Sequence, residues 1–317
     1  MTRSRLLLPL LLSSSCLTLD GFVFGGIHCS DVGPETCDAS DPIWDQVCVT
    51  CEQPYDWQKR YDWLPGTLDF GETIRPVAPE SLAVVKVPLD GGEADAVFIE
   101  GFGDNGDITI LYNHGNYASL EHYQPRIRML HEAGYSVFAW DYRGYGKSQP
   151  DTYPSPQEFM DDAAVIRKAV AELAPDPDRI VVYGYSLGAI PSVEMATTNP
   201  GCALVLETPF PSLRNFAEAS AAVSLPDQLV SDGQFDNVRK IRQHDGPLLA
   251  MAGERDGLIP PPLVEELANA NGGPTAYWLV EGSEHGIATR GVPEQGLRQY
   301  LDRLAEFLAT TPCSSGS

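Results

Sequence analysis

Ile180-Val181-Val182-Tyr183-Gly184-Tyr185-Ser186-Leu187-Gly188 joins an apolar, β-branched run to a stretch of helical periodicity. The run reads as a buried strand, the glycines as the marks of a tight turn, and the residues after Gly188 as a helix. A serine on such a turn sits in strained backbone geometry with its hydroxyl exposed. Glycine two positions to either side lets strand and helix pack that closely. This is the form of a nucleophile elbow. Alone, Gly-x-Ser-x-Gly arises by chance in about one chain of this size in ten, so its meaning depends on what surrounds it.

Strands and helices alternate on both sides of the elbow. Two strand-like runs, Leu82 to Val87 and Ala94 to Ile99, flank the hairpin chemistry of Pro88-Leu89-Asp90-Gly91-Gly92 and predict an antiparallel opening. Further strands are predicted at Ile108–Tyr112, Tyr135–Trp140, Ile180–Tyr183, Ala203–Leu206, Leu248–Met251 and Ala276–Val280. Helices are predicted near 119–132, 157–173, 187–198, 261–270 and 294–309. Gly134 and Pro175-Asp176-Pro177 end the first two. This is an α/β pattern: a mostly parallel, eight-stranded sheet with helices on both faces.

A serine nucleophile needs a base, and the base needs an orienting acid, here in the chain order serine, acid, histidine. Asp256 follows the strand Leu248–Met251 in Gly253-Glu254-Arg255-Asp256-Gly257, and His285 follows Ala276–Val280 in Gly282-Ser283-Glu284-His285-Gly286. Both loops leave the carboxyl ends of strands, the edge from which Ser186 also emerges. Glu254 and Glu207 are rival acids. The shorter Asp256 is the choice, because a carboxylate that holds one imidazole tautomer must be tightly placed. The developing oxyanion needs donors. The N–H of Leu187 is one and that of Asn116, in Asn113-His114-Gly115-Asn116, is the other. His114 is read as a brace for that loop rather than as a base.

Four motifs together carry a family resemblance: Leu111-Tyr112-Asn113-His114-Gly115-Asn116, Asp141-Tyr142-Arg143-Gly144-Tyr145-Gly146-Lys147-Ser148, Gly184-Tyr185-Ser186-Leu187-Gly188 and Glu207-Thr208-Pro209-Phe210. From about Ser81 to Ala309 the chain resembles the α/β-hydrolases, and within them the small-capped group of protein depalmitoylases and serine-aminopeptidase-like enzymes. The resemblance implies a serine hydrolase that needs no cofactor and no metal, with Ser186, Asp256 and His285 as its triad and Asn116 and Leu187 at its oxyanion positions. It also implies a fold-bracing role for Asp141 to Ser148, a structural role for Arg143, and a short cap at 209–245. Ala217 to Val223 is helix-prone there, Leu225-Pro226 breaks it, and Phe216, Leu225, Leu229 and Phe235 are candidate lining residues. The expected activity is hydrolysis of carboxylic esters or thioesters. A peptidase or amidase, and a non-catalytic surface lipoprotein that uses the scaffold for binding, are the rivals.

A net charge of −23, from 44 acidic and 21 basic side chains in 317 residues, excludes nucleic acid as a partner and electrostatic docking on anionic lipid. The partner expected is a small-molecule or acylated substrate. Residues 1–15 read as an export signal: Arg3 and Arg5, the apolar run Leu6 to Leu12, then Ser13-Ser14-Ser15. Ser13-x-Ser15 suits an ordinary signal peptidase, whereas Cys16 after small residues resembles the lipidated cysteine of bacterial lipoproteins. The expected location is the bacterial cell envelope, with the membrane met only through that anchor, and the alternative is a periplasmic or secreted protein.

Residues 16–80 then form a cysteine-rich extension ahead of a hydrolase domain at 81–312. Cys29, Cys37, Cys48 and Cys51 fall in an acidic segment without periodicity. In an oxidising compartment they make two disulfides with three pairings open, and a four-thiolate zinc site is the rival. Cys202 opens an apolar run and Cys313 lies in a polar tail, so nothing in the sequence joins or separates them.

Overall fold

In the computed structural model, which describes residues 24–37, 47–59, 75–212, 235–287 and 296–314, a two-residue strand β1 (Gly25–Gly26) precedes the main sheet. The sheet proper opens with β2 (Leu82–Leu89) and β3 (Gly92–Ile99), paired antiparallel with Leu89 opposite Gly92. Only Asp90 and Gly91 turn the chain, and Gly91 takes the left-handed φ of 73° that such a hairpin requires.

Six strands follow in the sheet: β4 (Thr109–Asn113), β6 (Ser136–Trp140), β7 (Ile180–Tyr185), β8 (Ala203–Glu207), β9 (Leu248–Gly253) and β10 (Thr275–Val280). A second two-residue strand, β5 (Tyr117–Ala118), stands apart from them and pairs with β1. The order across the sheet is β10-β9-β8-β7-β4-β6-β3-β2. All pairs from β6 to β10 are parallel, and β3 meets β6 antiparallel. The eight expected strands are therefore present within a residue or two of their predicted bounds. The β1–β5 pair was not expected.

Side chains alternate between two faces, as strand geometry demands. Leu111, Phe138, Trp140, Ile180 and Val182 enter one core, whereas Ile110, Tyr112, Val137, Ala139, Val181 and Tyr183 enter the other. Helices α2 (Pro156–Leu173), α3 (Ala189–Thr198), α4 (Asn237–Lys240) and α5 (Pro261–Ala270) cover the first core; α1 (Leu120–Glu132) and α6 (Gly296–Leu308) cover the second.

The chain leaves β4 for β6 on one side and then returns past β4 to β7 on the other. Right-handed crossovers consequently put α1 and α2 on opposite faces. The carboxyl ends of β4 and β7 become a switch point, the crevice where open α/β sheets place their sites.

Helix starts follow sequence chemistry. Ser119 caps α1 by accepting from Glu121 N–H, and Ser155 with Glu158 forms a capping box at α2. At the other end of α1 Gly134 turns the chain away with a φ of 94°.

Three disulfides are formed: Cys29–Cys51, Cys37–Cys48 and Cys202–Cys313. Such bridges form and persist in oxidising surroundings, so the chain is extracellular or periplasmic. Cys48 and Cys51 pair with the earlier cysteines rather than holding a metal, and Cys202 and Cys313, which the sequence left unconnected, are joined. No helix among the described residues is long and apolar enough to cross a membrane. The expected export signal, Cys16, and the expected cap residues Phe216, Ala217 to Val223, Leu225, Pro226 and Leu229 lie outside the described residues; Phe235 is buried in the first core.

Candidate active site

Ser186 follows β7 directly, with a left-handed φ of 51°. A Cβ on Gly184 would come within 2.5 Å of Ser192 Oγ and 2.7 Å of the Gly188 carbonyl oxygen, and one on Gly188 would fall 2.1 Å from the Asn113 carbonyl oxygen. Both glycines are thus required by close approach. A polar chain braces the turn: Trp140 Nε1–H donates to Asn113 Oδ1, Asn113 Nδ2 donates to Ser192 Oγ, and Ser192 Oγ donates to the Gly188 carbonyl. These bonds tie the ends of β4 and β6 to the start of α3.

The loop after β10 brings His285 over the serine. His285 Nε2 lies 2.9 Å from Ser186 Oγ and Nδ1 lies 2.8 Å from Asp256 Oδ2. Asp256 is buried, and its other oxygen, Oδ1, accepts N–H bonds from Leu258 and Ile259, both at 2.8 Å. The carboxylate is therefore fixed on both sides, with one oxygen left for the imidazole. An imidazole so held can take the hydroxyl proton while its own Nδ1–H stays directed at the acid.

The acid and histidine loops are laced together. Arg255 N–H donates to the Ser283 carbonyl, Glu254 Oε2 accepts from Gly282 N–H, and a Cβ on Gly253 would meet the Glu284 carbonyl oxygen at 2.3 Å. Glu254, a rival acid in the sequence, thus ties one loop to the other.

Glu207, the second rival, is fully buried in another network. It accepts from Arg126 Nη1 at 2.8 Å and from the Tyr183 hydroxyl at 2.5 Å, with Tyr300 3.3 Å away. Burial is the largest single influence on the Arg126 charge and opposes it, but Glu207 together with the surrounding Tyr112, Tyr185 and Tyr183 outweighs burial and holds the guanidinium protonated above its usual range. Arg126 also lies 3.8 Å over the ring of Tyr185, whose hydroxyl donates to the His285 carbonyl at 3.3 Å.

Leu187 is the second residue of a 3-10 turn, Ser186–Gly188, so its N–H has no intrahelical acceptor. Asn116 lies just beyond β4, which runs beside β7 with Asn113 opposite Gly184. The Asn116 side chain is engaged: Oδ1 accepts from Gly25 N–H at 2.6 Å and from the Tyr145 hydroxyl at 2.8 Å. Sequence reasoning missed these partners, since neither is a neighbour in the chain.

His114 is buried between the rings of Tyr123 and Tyr142, with Nδ1 2.8 Å from the Gly115 carbonyl and Nε2 3.5 Å from Asp141 Oδ1. It stiffens the loop. Arg143 holds Asp162 through two bonds of 2.6 and 2.7 Å, a structural pair on the first face.

The model of the serine aminopeptidase S33 family matches residues 105–237. An uncharacterized protein of Mycobacterium tuberculosis is 32% identical over 240 residues, covering 74% of this chain and 82% of its own. Alpha/beta hydrolase domain-containing protein 17B of Homo sapiens is 27% identical over 209 residues, 65% of this chain and 67% of its own. Among solved structures, the esterase Pf2001 of Pyrococcus furiosus superposes with a TM-score of 0.57 at 25% identity, covering 73% of this chain and 93% of that one.

Proposed function

The chain belongs to the α/β-hydrolases, and from that premise we propose that it cleaves carboxylic esters or thioesters through an acyl-enzyme on Ser186. The observation that carries this reading is the unbroken chain from Ser186 Oγ through His285 to Asp256. Ser186 Oγ attacks the acyl carbonyl carbon while its proton passes to His285 Nε2. The oxyanion so formed is held by the N–H groups of Leu187 and Asn116. His285 then returns the proton to the departing alcohol or thiol, and the same steps with water release the acid. Asp256 keeps His285 in the tautomer that can accept at Nε2.

A fluorophosphonate probe labels Ser186 on this reading, and Ser186→Ala abolishes the labelling; a mutant that still labels overturns it. The same machinery attacks amides, and the family model that matches bears an aminopeptidase name. Amide hydrolysis is therefore the second reading. Rates on p-nitrophenyl acyl esters of several chain lengths against aminoacyl anilides separate the two.

The proposal includes a division into leader (1–15), extension (16–80) and hydrolase domain (81–312) with a short cap at 209–245, and a lipid anchor on Cys16. Mass spectrometry of the mature N-terminus tests the anchor. A retained Met1, or a cut other than Ser15–Cys16, removes it.

A further inference from the structure

The extension reaches the loop that carries Asn116. β1 lies parallel to β5, with Gly25 opposite Tyr117 and Gly26 opposite Ala118. The Gly25 N–H donates to Asn116 Oδ1, and the Ile27 N–H donates to the Ala118 carbonyl at 3.0 Å. One residue further, Gly146 N–H donates to the Ile27 carbonyl and Cys29 N–H to the Gly146 carbonyl, at 2.9 and 2.7 Å. Gly26 is held so closely that a Cβ there would stand 2.4 Å from the ring of Tyr145, the same residue whose hydroxyl binds Asn116 Oδ1.

The loop needs such support. Ala118 is buried with a φ of 60°, a conformation that residues with a Cβ avoid. Strain of this kind persists only where the surroundings impose it, and β1 supplies the parallel partner that does so.

What holds β1 is only partly covalent: Phe24 beside it packs among the rings of Tyr145, Tyr153, Phe159 and Phe235, and the Tyr153 hydroxyl donates to the Gly26 carbonyl at 2.9 Å. The apolar anchors of the extension among its described residues are Phe24, Cys29, Val47, Trp57 and Val77, all buried. Cys29–Cys51 and Cys37–Cys48 close its loops. Glu121, in the first turn of α1, accepts the N–H groups of both Cys48 and Val49 at 2.9 Å. Each bridge has an exposed end, Cys51 or Cys37, whereas Cys202 and Cys313 are both buried.

We infer that the disulfide-stapled extension is a positioning element for the Asn116 loop, so that full activity requires Cys29–Cys51 and Cys37–Cys48 to have formed. The inference rests on the oxyanion role proposed for Asn116. A dithiol reductant breaks each S–S bond, yielding two cysteine thiols and the cyclic disulfide of the reductant. β1 then keeps only its non-covalent anchors at Phe24 and Tyr153, which do not hold it in register, so that Asn116 loses the Gly25 donor and the loop relaxes away from Leu187. Ser186, His285 and Asp256 keep their hydrogen bonds, because none of these runs through the extension.

The test uses the full chain and dithiothreitol, with alkylation and mass spectrometry identifying conditions in which Cys29, Cys37, Cys48 and Cys51 are reduced and Cys202–Cys313 is intact. The expected result is a fall in kcat on p-nitrophenyl acetate of at least about tenfold, approaching the hundredfold typical of a lost oxyanion donor. KM and the acid limb of the pH profile stay in place, and activity returns on reoxidation. Gly26→Ala detaches β1 with every disulfide present and reproduces the loss; Gly33→Ala, whose Cβ meets nothing within 4 Å, does not.

Amide hydrogen exchange reads the same event without activity: the N–H groups of Ile27, Cys29 and Gly146 lose protection, while those of β7 and β8 keep it. A detached β1 with unchanged kcat overturns the inference, as does a β1 that stays protected after reduction. A shifted acid limb also overturns it, because the histidine would then have moved too. If the untreated protein hydrolyses no ester, thioester or anilide, the proposed function fails, whereas exchange still decides whether the disulfides hold the loop.

Discussion

The hydroxyl of Thr208 donates to the carbonyl oxygen of His285 at 3.2 Å, from a buried residue whose own backbone is left-handed, with a φ of 42°. A β-branched side chain seldom accepts that conformation. Here it turns the chain just after β8 so that the hydroxyl meets the histidine loop, while Thr208 N–H donates to the Met251 carbonyl. Tyr185 donates to the same carbonyl oxygen from the elbow side. Two hydroxyls from different strand ends therefore fix the backbone that carries the imidazole.

Thr208→Val keeps the shape and removes one of those donors. Its expected effect is a fall in kcat/KM of about tenfold, because small displacements of a positioned group cost that much or more, with stability altered by no more than about 1 kcal/mol. Thr208→Ser, which keeps the hydroxyl, restores the rate. Steady-state kinetics across pH on the three proteins decide the matter; equal rates for Val and Thr would mean that the bond does not position His285.

Asp256→Asn tests the acid by tautomer. Oδ1 is committed to the N–H groups of Leu258 and Ile259, so the amide oxygen of Asn must take that place and its NH2 must face His285 Nδ1. Nδ1 is then forced to accept, the ring proton moves to Nε2, and the imidazole no longer accepts the proton of Ser186. A loss in kcat of about 10³ to 10⁴ is expected with the melting temperature nearly unchanged. Retained activity would pass the role to another carboxylate.

The elbow was legible because its geometry imposes glycine at 184 and 188, and Asp256 and His285 were legible because each follows a strand whose period could be counted. What escaped were contacts between residues far apart in sequence and carried by no local pattern. Glu207 could be seen as a carboxylate at a strand end, but its partner Arg126 stands 81 residues away on α1. Gly25 and Asn116 are separated by 91 residues, and their bond depends on a two-residue strand too short to leave a periodic signature. The disulfide pairings were open for the same reason: cysteine spacing states how many bridges there are, not which sulfurs meet.

Cys202–Cys313 closes a loop with a sequence separation of 111, joining the start of β8 to the turn after α6. Arg179 Nε also donates to the Cys313 carbonyl at 2.8 Å, so the joint has a polar clasp beside the covalent one. On the chain-entropy argument, removing the bridge costs about 2 to 5 kcal/mol. Cys202→Ala combined with Cys313→Ala should lower the urea midpoint accordingly, with the rate at 25 °C retained because neither residue touches Ser186, His285 or Asp256. A change below about 1 kcal/mol would mean that packing of α6 alone holds this end of the chain.

Acid should destabilise the protein through two histidines, with buried carboxylates acting against that loss at lower pH. Burial holds the pKa of His244 and His131 below the usual 6.5; the first is enclosed beside Asn271 Oδ1 and the second lies against the Glu100 carbonyl. Both are therefore neutral in the folded chain at a pH where the unfolded chain already binds protons. Their contribution to stability is complete above pH 6.5, declines as the pH falls below that value, and is lost by the time the folded pKa is passed. Burial raises Asp95, Glu121 and Asp162 instead, so their ionised forms cost stability at neutral pH. That cost is relieved as they take up protons at lower pH, which opposes the histidine effect. Urea midpoints measured from pH 7.5 downward should thus begin to fall as the pH drops below about 6.5 and flatten further down, once the carboxylates take up protons. His244→Gln, which cannot titrate, should reduce the first fall; an unchanged slope would show that His244 is not the group being protonated.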